Sequence, residues 1–504
     1  MTTVPGAPEH THLAGRTASA GTWTAVGIAG QRGLSLLSTI VLARLLLPGA
    51  YGLFGMAMVF MAAANSLRDL GTGSALIQRK EFSPDLASTI FWVNGLFGLC
   101  GAAILSALAP LAARLYRDPA VIPVLVVLSV SFFLGNLSAV HQAVLMRGLA
   151  FREIALIQLG ASLVSTVLAI CLAFGGAGVW SLVISLVLES AIMTALFWMI
   201  TPWRPTRHFD YAELRGVTSY SINLVGSRAL TYVISNLDKA LIGRYLGAVA
   251  LGYYSLAHGL MMYPVYNIAW TVNRVVFPAF SQIQDDDERF RRAYLRILAA
   301  TAALGFPLML GMLVTADVLV LACFGAAWLP MVPVLMILAP AGLVQSASTT
   351  TTIVFTAKGR TSLLFRLVLA EAGLSVLGYV VGLRWGVIGV ATGCAVVHVL
   401  WGFPRFVYAS RLIGLPVAEV FRAMWAPLRD AAVMCAAVLV ARVALASIGV
   451  AAPWLRLGVM TIAGVAVYTL LVLWTRPSFV REVLQLMPLG HLAWVRRLAA
   501  PSRG

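Results

Sequence analysis

The chain has 504 residues, 60% of them hydrophobic and only 11% charged, with a mean hydropathy of +0.90. Average soluble domains carry about 25% charged residues, so soluble enzymes, secreted disulfide scaffolds and disordered chains are excluded. The net charge of +17 would fit a nucleic-acid partner, but the placement of the basic residues gives it a different meaning.

Residues 1–21, rich in Thr, Ala, Gly and Pro, lack the apolar core of a signal peptide and read as a cytoplasmic tail. Apolar windows long enough to span a bilayer then recur to residue 475. They fall at 22–46, 51–73, 87–113, 121–145, 154–174, 177–200, 217–243, 250–280, 294–315, 330–356, 362–383, 386–408, 426–447 and 456–475. The expectation is therefore an all-α polytopic membrane protein with about 14 transmembrane helices. Pro330, Pro333 and Pro340 make the window at 330–356 the least regular, and 12 or 13 spans are the alternatives. The windows group into an N-lobe of six spans (22–200), a linker (201–216), a C-lobe of six (217–410), two extra spans (411–475) and a basic tail (476–504).

Lys and Arg fix the expected orientation. With the N-terminus inside, 24 of them fall in cytoplasmic segments and only five, Arg114, Arg117, Arg244, Arg384 and Arg456, on the other side. That asymmetry places both termini in the cytoplasm and accounts for the net charge with no nucleic acid. No external loop is long enough to form a domain.

Motifs for chemistry are missing. There is no Walker A sequence, nucleotide-binding glycine loop, catalytic triad signature or HExxH pair, so the expectation is neither an enzyme nor a cofactor or metal protein. Cys100, Cys171, Cys323, Cys394 and Cys435 lie far apart in apolar segments and read as small buried side chains. Asp285, Asp286, Asp287 and Glu288 precede Arg289, Arg291, Arg292 and Arg296, an order that suits a solvated helix start; a cation site is the alternative.

An internal repeat is visible. AYGLFGMA (50–57) matches ALGYYSLA (250–257) at an offset of 200, and Arg32 corresponds to Arg228 after a four-residue length difference in between. Two parallel lobes of six spans would place a substrate site at the repeat interface.

Charges inside the apolar windows are the candidate site residues. A charge at the bilayer centre costs about 2.5–3.5 kcal/mol on insertion scales, so such residues face a cavity or a partner. At about 1.5 Å per residue, Arg32 and Arg228 lie near the midplane and are assigned to substrate binding. Arg68, Lys239 and Arg274 are added as nearer-surface cations, and Arg44 lies near the outer end of its span. Asp69, Glu189, Asp238 and Glu371 read as ion-coupling groups or as structural partners of these cations. The polar run from Gln345 to Thr352 reads as side chains bonded to their own helix. Tyr253, Tyr254, Tyr263 and Trp270 fit either sugar stacking or the membrane interface.

Several segments resemble a known family. ARLLLPGAYGLFGMAMVF (43–60), RDLGTGSALIQRKEFSPDLASTIFWVN (68–94), AVHQAVLMRGLAFR (139–152), NLDKALIGRYLGAVALGYYSLAHGLMMYP (236–264), FPAFSQIQDDDERFRRAYLR (277–296) and GLRWGVIGVA (382–391) are similar to the Wzx-type polysaccharide transporters. The similarity is to the branch of lipopolysaccharide and colanic-acid exporters within the MATE-like (MOP) flippase superfamily, and it covers about residues 20 to 410. Where family members often carry a second Asn after the Asp, this chain has Lys239.

The resemblance implies two six-helix lobes forming a V around a cationic cavity, plus two extra helices. It implies movement of an undecaprenyl-diphosphate-linked oligosaccharide from the inner to the outer leaflet of the bacterial inner membrane, driven by a proton or sodium gradient. A polysaccharide polymerase and a chain-length regulator are the partners it implies. A multidrug or cation antiporter of the same superfamily is the alternative, and it calls for an acid-lined cavity.

Overall fold

In the computed structural model, residues 10–68, 76, 83–207, 209, 211–271, 280 and 282–475 are described. Of these, 10–22, 25–26, 67–68, 211–231, 233–235 and 269–271 are described by backbone alone. Every regular element among them is helical. The helices are α1 (His10–Leu45), α2 (Pro48–Arg68), α3 (Pro84–Tyr116), α4 (Val121–Arg147), α5 (Phe151–Phe174), α6 (Trp180–Ile200) and α7 (Tyr211–Thr271). They continue with α8 (Asp287–Cys323), α9 (Val332–Ala357), α10 (Thr361–Gly382), α11 (Gly386–Leu412), α12 (Val417–Ser447) and α13 (Pro453–Thr475).

The helix starts follow from local chemistry. Ser83 caps α3 by accepting a hydrogen bond from the Leu86 amide at 3.2 Å, with Pro84 in the first turn. Asp286 caps α8 by accepting from the Arg289 amide at 3.0 Å, so the acidic run is a helix start. Next to it Lys358 reaches Asp287 at 2.8 Å, and its ammonium holds the Asp287 carboxyl below the usual carboxylate range. Gly247, at φ 84°, breaks α7 between the two apolar windows predicted at 217–243 and 250–280.

Nine helical stretches among the described residues are long and apolar enough to cross a bilayer. One of them, Thr361–Leu412, contains both α10 and α11, which double back through a short turn. There a Cβ on Gly382 would overlap the carbonyl of Gly389, and one on Gly393 that of Gly378. Helices in lipid associate through such close packing of small residues, because hydrocarbon offers no hydrophobic drive for pairing them. Large apolar side chains such as Leu96, Leu99, Leu377 and Ile462 stay exposed, as a surface in contact with lipid tails requires.

The chain divides into two compact units, Met1–Gly252 and Tyr253–Gly504. In the first, α3 packs on α4, α4 on α6, α5 on α6, and α1 on α5. In the second, α8 packs on α9, α9 on α11, and α10 on α11, while α12 and α13 lie against α8. The first three pairings of each unit occur in the same order.

The sequence carries this repeat more strongly than the match at 50–57. IPVLVVL (122–128) matches VPVLMIL (332–338), and burial over 121–136 recurs position by position over 331–346. Leu149 and Gly359, also 210 residues apart, both adopt positive φ after their helices. Two of the three prolines that made 330–356 irregular therefore mark a helix entry, Pro330 in a 3-10 turn and Pro333 in the first turn of α9, while Pro340 lies inside that helix.

The cysteine expectation needs correction. All five are free thiols, but only Cys394 is buried, while Cys100 and Cys171 are exposed on the apolar surfaces of α3 and α5. A thiol is apolar enough to face lipid as readily as protein.

Candidate functional site

A cavity of about 430 Å³ opens within the first unit between α1, α2, α5 and α6. Arg32 and Glu189, two of the charges singled out in the sequence, both line it. Around them stand hydroxyls from three helices, among them Ser35 and Thr39 on α1, Ser162 and Ser165 on α5, and Ser185 on α6.

Helix register explains the convergence. Arg32, Ser35, Thr39 and Leu42 are three or four residues apart and share one face of α1. Ser162, Ser165 and Ala169 do so on α5, and Leu182, Ser185 and Glu189 on α6. Shared packing sets the levels. Leu42, Ala169 and Leu182 share one apolar cluster with Tyr51 and Phe54 beside it, and Ser162 and Glu189 line the cavity two helical turns from that cluster. The cavity therefore runs from a charged end, with Arg32 and Glu189, through a belt of hydroxyls to an apolar end. Its described lining holds one cation and one acid, so it is not purely cationic.

The remaining candidates are distributed elsewhere. Asp238 is buried on α7, and Lys239 donates to Asn236 Oδ1 at 3.2 Å, one turn back. Glu371 on α10 accepts from Arg405 Nη1 on α11 at 3.2 Å and lies 4.0 Å from His398 Nε2. The backbone of Arg68 and Arg228 is helical, but their side chains, like the whole of Asp69 and Arg274, lie outside the described residues.

Three features escape a reading of the sequence. The pairing of Arg405, inside the window at 386–408, with Glu371 on a different helix is one of them. Asp430 is buried on α12, with Arg429 donating to its Oδ1 at 2.8 Å. His141 is fully buried and stacks on Trp198 at 4.7 Å, with Phe91 and Trp203 edge-on. The aromatic residues Phe91, Trp198 and Trp203 are the only signal in the sequence for that cluster.

A second cavity, of about 450 Å³, lies in the second unit between α8, α12 and α13. Leu304, Leu308, Met434, Val438, Met460 and Tyr468 give it an apolar wall.

Comparison with solved structures defines the class. The fold matches the lipid II flippase MurJ in its inward closed conformation, with a TM-score of 0.70 over 91% of this chain and 99% of that one, at 15% identity. An inward-facing multidrug-resistance MATE transporter of the MOP superfamily matches with a TM-score of 0.62 over 78% and 98%, at 16% identity. At such identities the likeness establishes the fold alone: this is a multi-pass membrane protein, helical in every regular element of its described residues, with the fold of these two transporters.

Residues 41–333, more than half of the chain, match the family described as polysaccharide biosynthesis protein, and the chain belongs to that family. The lipopolysaccharide biosynthesis protein WzxC of Escherichia coli K12 is 27% identical over 82% of this chain and 85% of its own length. The succinoglycan biosynthesis transport protein ExoT of Rhizobium meliloti is 26% identical over 92% and 94%.

Proposed function

We propose that the protein is a flippase that carries an undecaprenyl-diphosphate-linked oligosaccharide across the bacterial inner membrane, from the cytoplasmic to the outer leaflet, for polysaccharide assembly. The observation that carries this reading is Arg32 lining a hydroxyl-rich cavity within an apolar helical unit. A diphosphate cannot cross hydrocarbon unaided at useful rates, because desolvating its charge costs far more than thermal energy supplies. An Arg guanidinium binds phosphate oxygens in a bidentate fork, and hydroxyls accept and donate to sugars. The apolar cleft between α8, α12 and α13 has the chemistry to hold an isoprenoid chain. Family membership and the likeness to WzxC, a lipopolysaccharide biosynthesis protein, and ExoT, a succinoglycan biosynthesis transport protein, support the same reading.

In this reading the protein transports and does no covalent chemistry. Both termini are cytoplasmic in this reading, which the distribution of Lys and Arg supports. Alternating access is coupled to a proton or sodium gradient, with Glu189, Asp238 and Glu371 as the described acids available for it. A polymerase and a chain-length regulator receive and measure the exported chains. A drug antiporter would be expected to line its cavity with acids; Arg32 beside Glu189 is a poor match for a cationic drug. The test is reconstitution in proteoliposomes with fluorescent undecaprenyl-diphosphate-oligosaccharide, with and without an imposed ion gradient. Protein-dependent appearance of the glycan in the opposite leaflet is expected; expulsion of a cationic dye with no glycan movement would overturn the reading.

A further inference from the structure

We propose that the α10–α11 hairpin holds a site for a single proton, between His398 Nε2 and Glu371 Oε1. The proposal rests on the flippase reading, to which it gives a proton as the coupling ion.

The tautomer of His398 follows from its partners. Nδ1 lies 2.8 Å from the Cys394 carbonyl oxygen, one turn back on α11. A carbonyl has no proton to give, so Nδ1 carries one and donates it. The Cys394 sulfur, 3.6 Å from the same nitrogen, also accepts from the Tyr379 hydroxyl at 3.9 Å and closes that side. In the neutral ring the other nitrogen, Nε2, is then a bare lone pair. It faces Glu371 Oε1 at 4.0 Å, while Oε2 of the same carboxylate accepts from Arg405 Nη1 at 3.2 Å. Two acceptors thus stand opposite each other, about 1 Å too far apart for a hydrogen bond. One proton on Nε2 converts the gap into a charge-assisted bond from imidazolium to carboxylate, of about 2.7–2.9 Å. The proton comes from water and returns to it, and no other bond changes.

The surroundings fit a proton better than a metal cation. Hard cations take several oxygen ligands; here Arg405 holds one carboxylate oxygen and Nδ1 holds the Cys394 carbonyl. α9, which also packs on α11, has no ionisable side chain from Val332 to Ala357. α12 meets α11 where Phe421 stacks on Phe403; Glu419 and Arg422 lie in its first turns, and Arg429 and Asp430 bond to each other. Arg366, Arg384, Tyr408 and Arg411 stand nearer the ends of the hairpin helices. His398 and Glu371 lie at the middle of theirs, with side chains 17% and 15% exposed. The repeat marks the same level. Gly176 and Gly386, 210 residues apart, both take positive φ at the turns joining α5 to α6 and α10 to α11. Counted from those turns, Ser162 and Glu189 match Glu371 and His398 to within one residue, so each hairpin carries one carboxylate at mid-span.

The test reads His398 directly, by solid-state nitrogen NMR of the full-length protein in liposomes with labelled imidazole rings. His398 is the only histidine followed by valine, so labelling histidine carbonyl carbon and valine nitrogen assigns it without a variant. At about pH 8 the ring is expected to carry its proton on Nδ1, and a second proton is expected on Nε2 as pH falls toward about 5. Glu371→Gln is expected to bind that second proton about tenfold more weakly, the low end for loss of a close opposite charge. In proteoliposomes an imposed pH gradient is expected to speed glycan translocation by the unaltered protein and not by His398→Gln. A bare Nε2 throughout that range, or a proton on Nε2 in place of Nδ1 at about pH 8, would overturn the site. An undiminished effect of the gradient in folded His398→Gln would remove the site from coupling. If the unaltered protein moves no glycan at all, the flippase reading fails, while the NMR result still decides whether the proton site exists.

Discussion

Gly52 and Gly252, equivalent positions of the internal repeat, each press against the backbone that leads into the other's helix. A Cβ on Gly52 would overlap the carbonyl of Ala248, and a Cβ on Gly252 would overlap that of Pro48 while reaching 3.3 Å from the Gly52 amide nitrogen. Adding 200 to Gly52 and subtracting 200 from Ala248 gives Gly252 and position 48, so the two contacts are exchanged by the offset that relates the repeat segments at 50–57 and 250–257. Both lie within the first compact unit.

Gly52→Ala and Gly252→Ala should therefore each destabilise the protein by about 1–3 kcal/mol, the usual range for overpacking. Gly160→Ala is the control, because a Cβ there meets nothing within 4 Å and Ala is the better helix former. Thermal unfolding in detergent checks this. Equal melting temperatures for the three variants would remove the close contact.

Glu371 and Arg405 form an enclosed ion pair between two spans, with both side chains under a fifth exposed. Removing one partner of such a pair strands a charge and costs about 3–5 kcal/mol, whereas removing both is far milder. Arg405→Ala should lower stability sharply, and the double variant Glu371→Ala with Arg405→Ala should recover much of it. A simple sum of the single effects would show that the two side chains do not interact. Gradient-driven transport lost in a stable Glu371→Gln variant would place Glu371 in ion coupling as well.

Asp287 titrates outside the spans, with its carboxyl held low by Lys358. A depressed value in the folded state means that its contribution is present above the unfolded value of 3.8 and is lost as pH falls through the lower folded value. The small difference in unfolding midpoint between the unaltered protein and Asp287→Asn should stay level from pH 8 to about 5 and shrink below about 4. A difference that grows on acidification would contradict the Asp287–Lys358 contact.

The fold was legible in the sequence because bilayer thickness sets span length and lipid forces helices to satisfy their own backbone. The roles of the prolines at 330–340 were harder, since Pro333 opens α9 while Pro340 lies inside it, and only neighbouring helices decide between those roles. Arg32 and Glu189 stood out one by one as charges in apolar runs. Their meeting depends on α1 packing against α5, more than a hundred residues away, which no local pattern records. The hydroxyl belt was invisible for a related reason. Thr39, Ser165 and Ser185 share no motif, and each looks like an ordinary self-bonded residue until three helices bring them together.

The most direct test of the central claim is translocation of undecaprenyl-diphosphate-oligosaccharide by Arg32→Ala in proteoliposomes, beside the unaltered protein and Arg32→Lys. The account predicts transport near background for Arg32→Ala, in protein that inserts and unfolds normally, and partial transport for Arg32→Lys, which keeps the charge and loses the bidentate fork. Arg228→Ala, from the sequence repeat, is expected to impair transport too. Transport by Arg32→Ala at the unaltered rate would contradict the claim that this cavity carries the diphosphate.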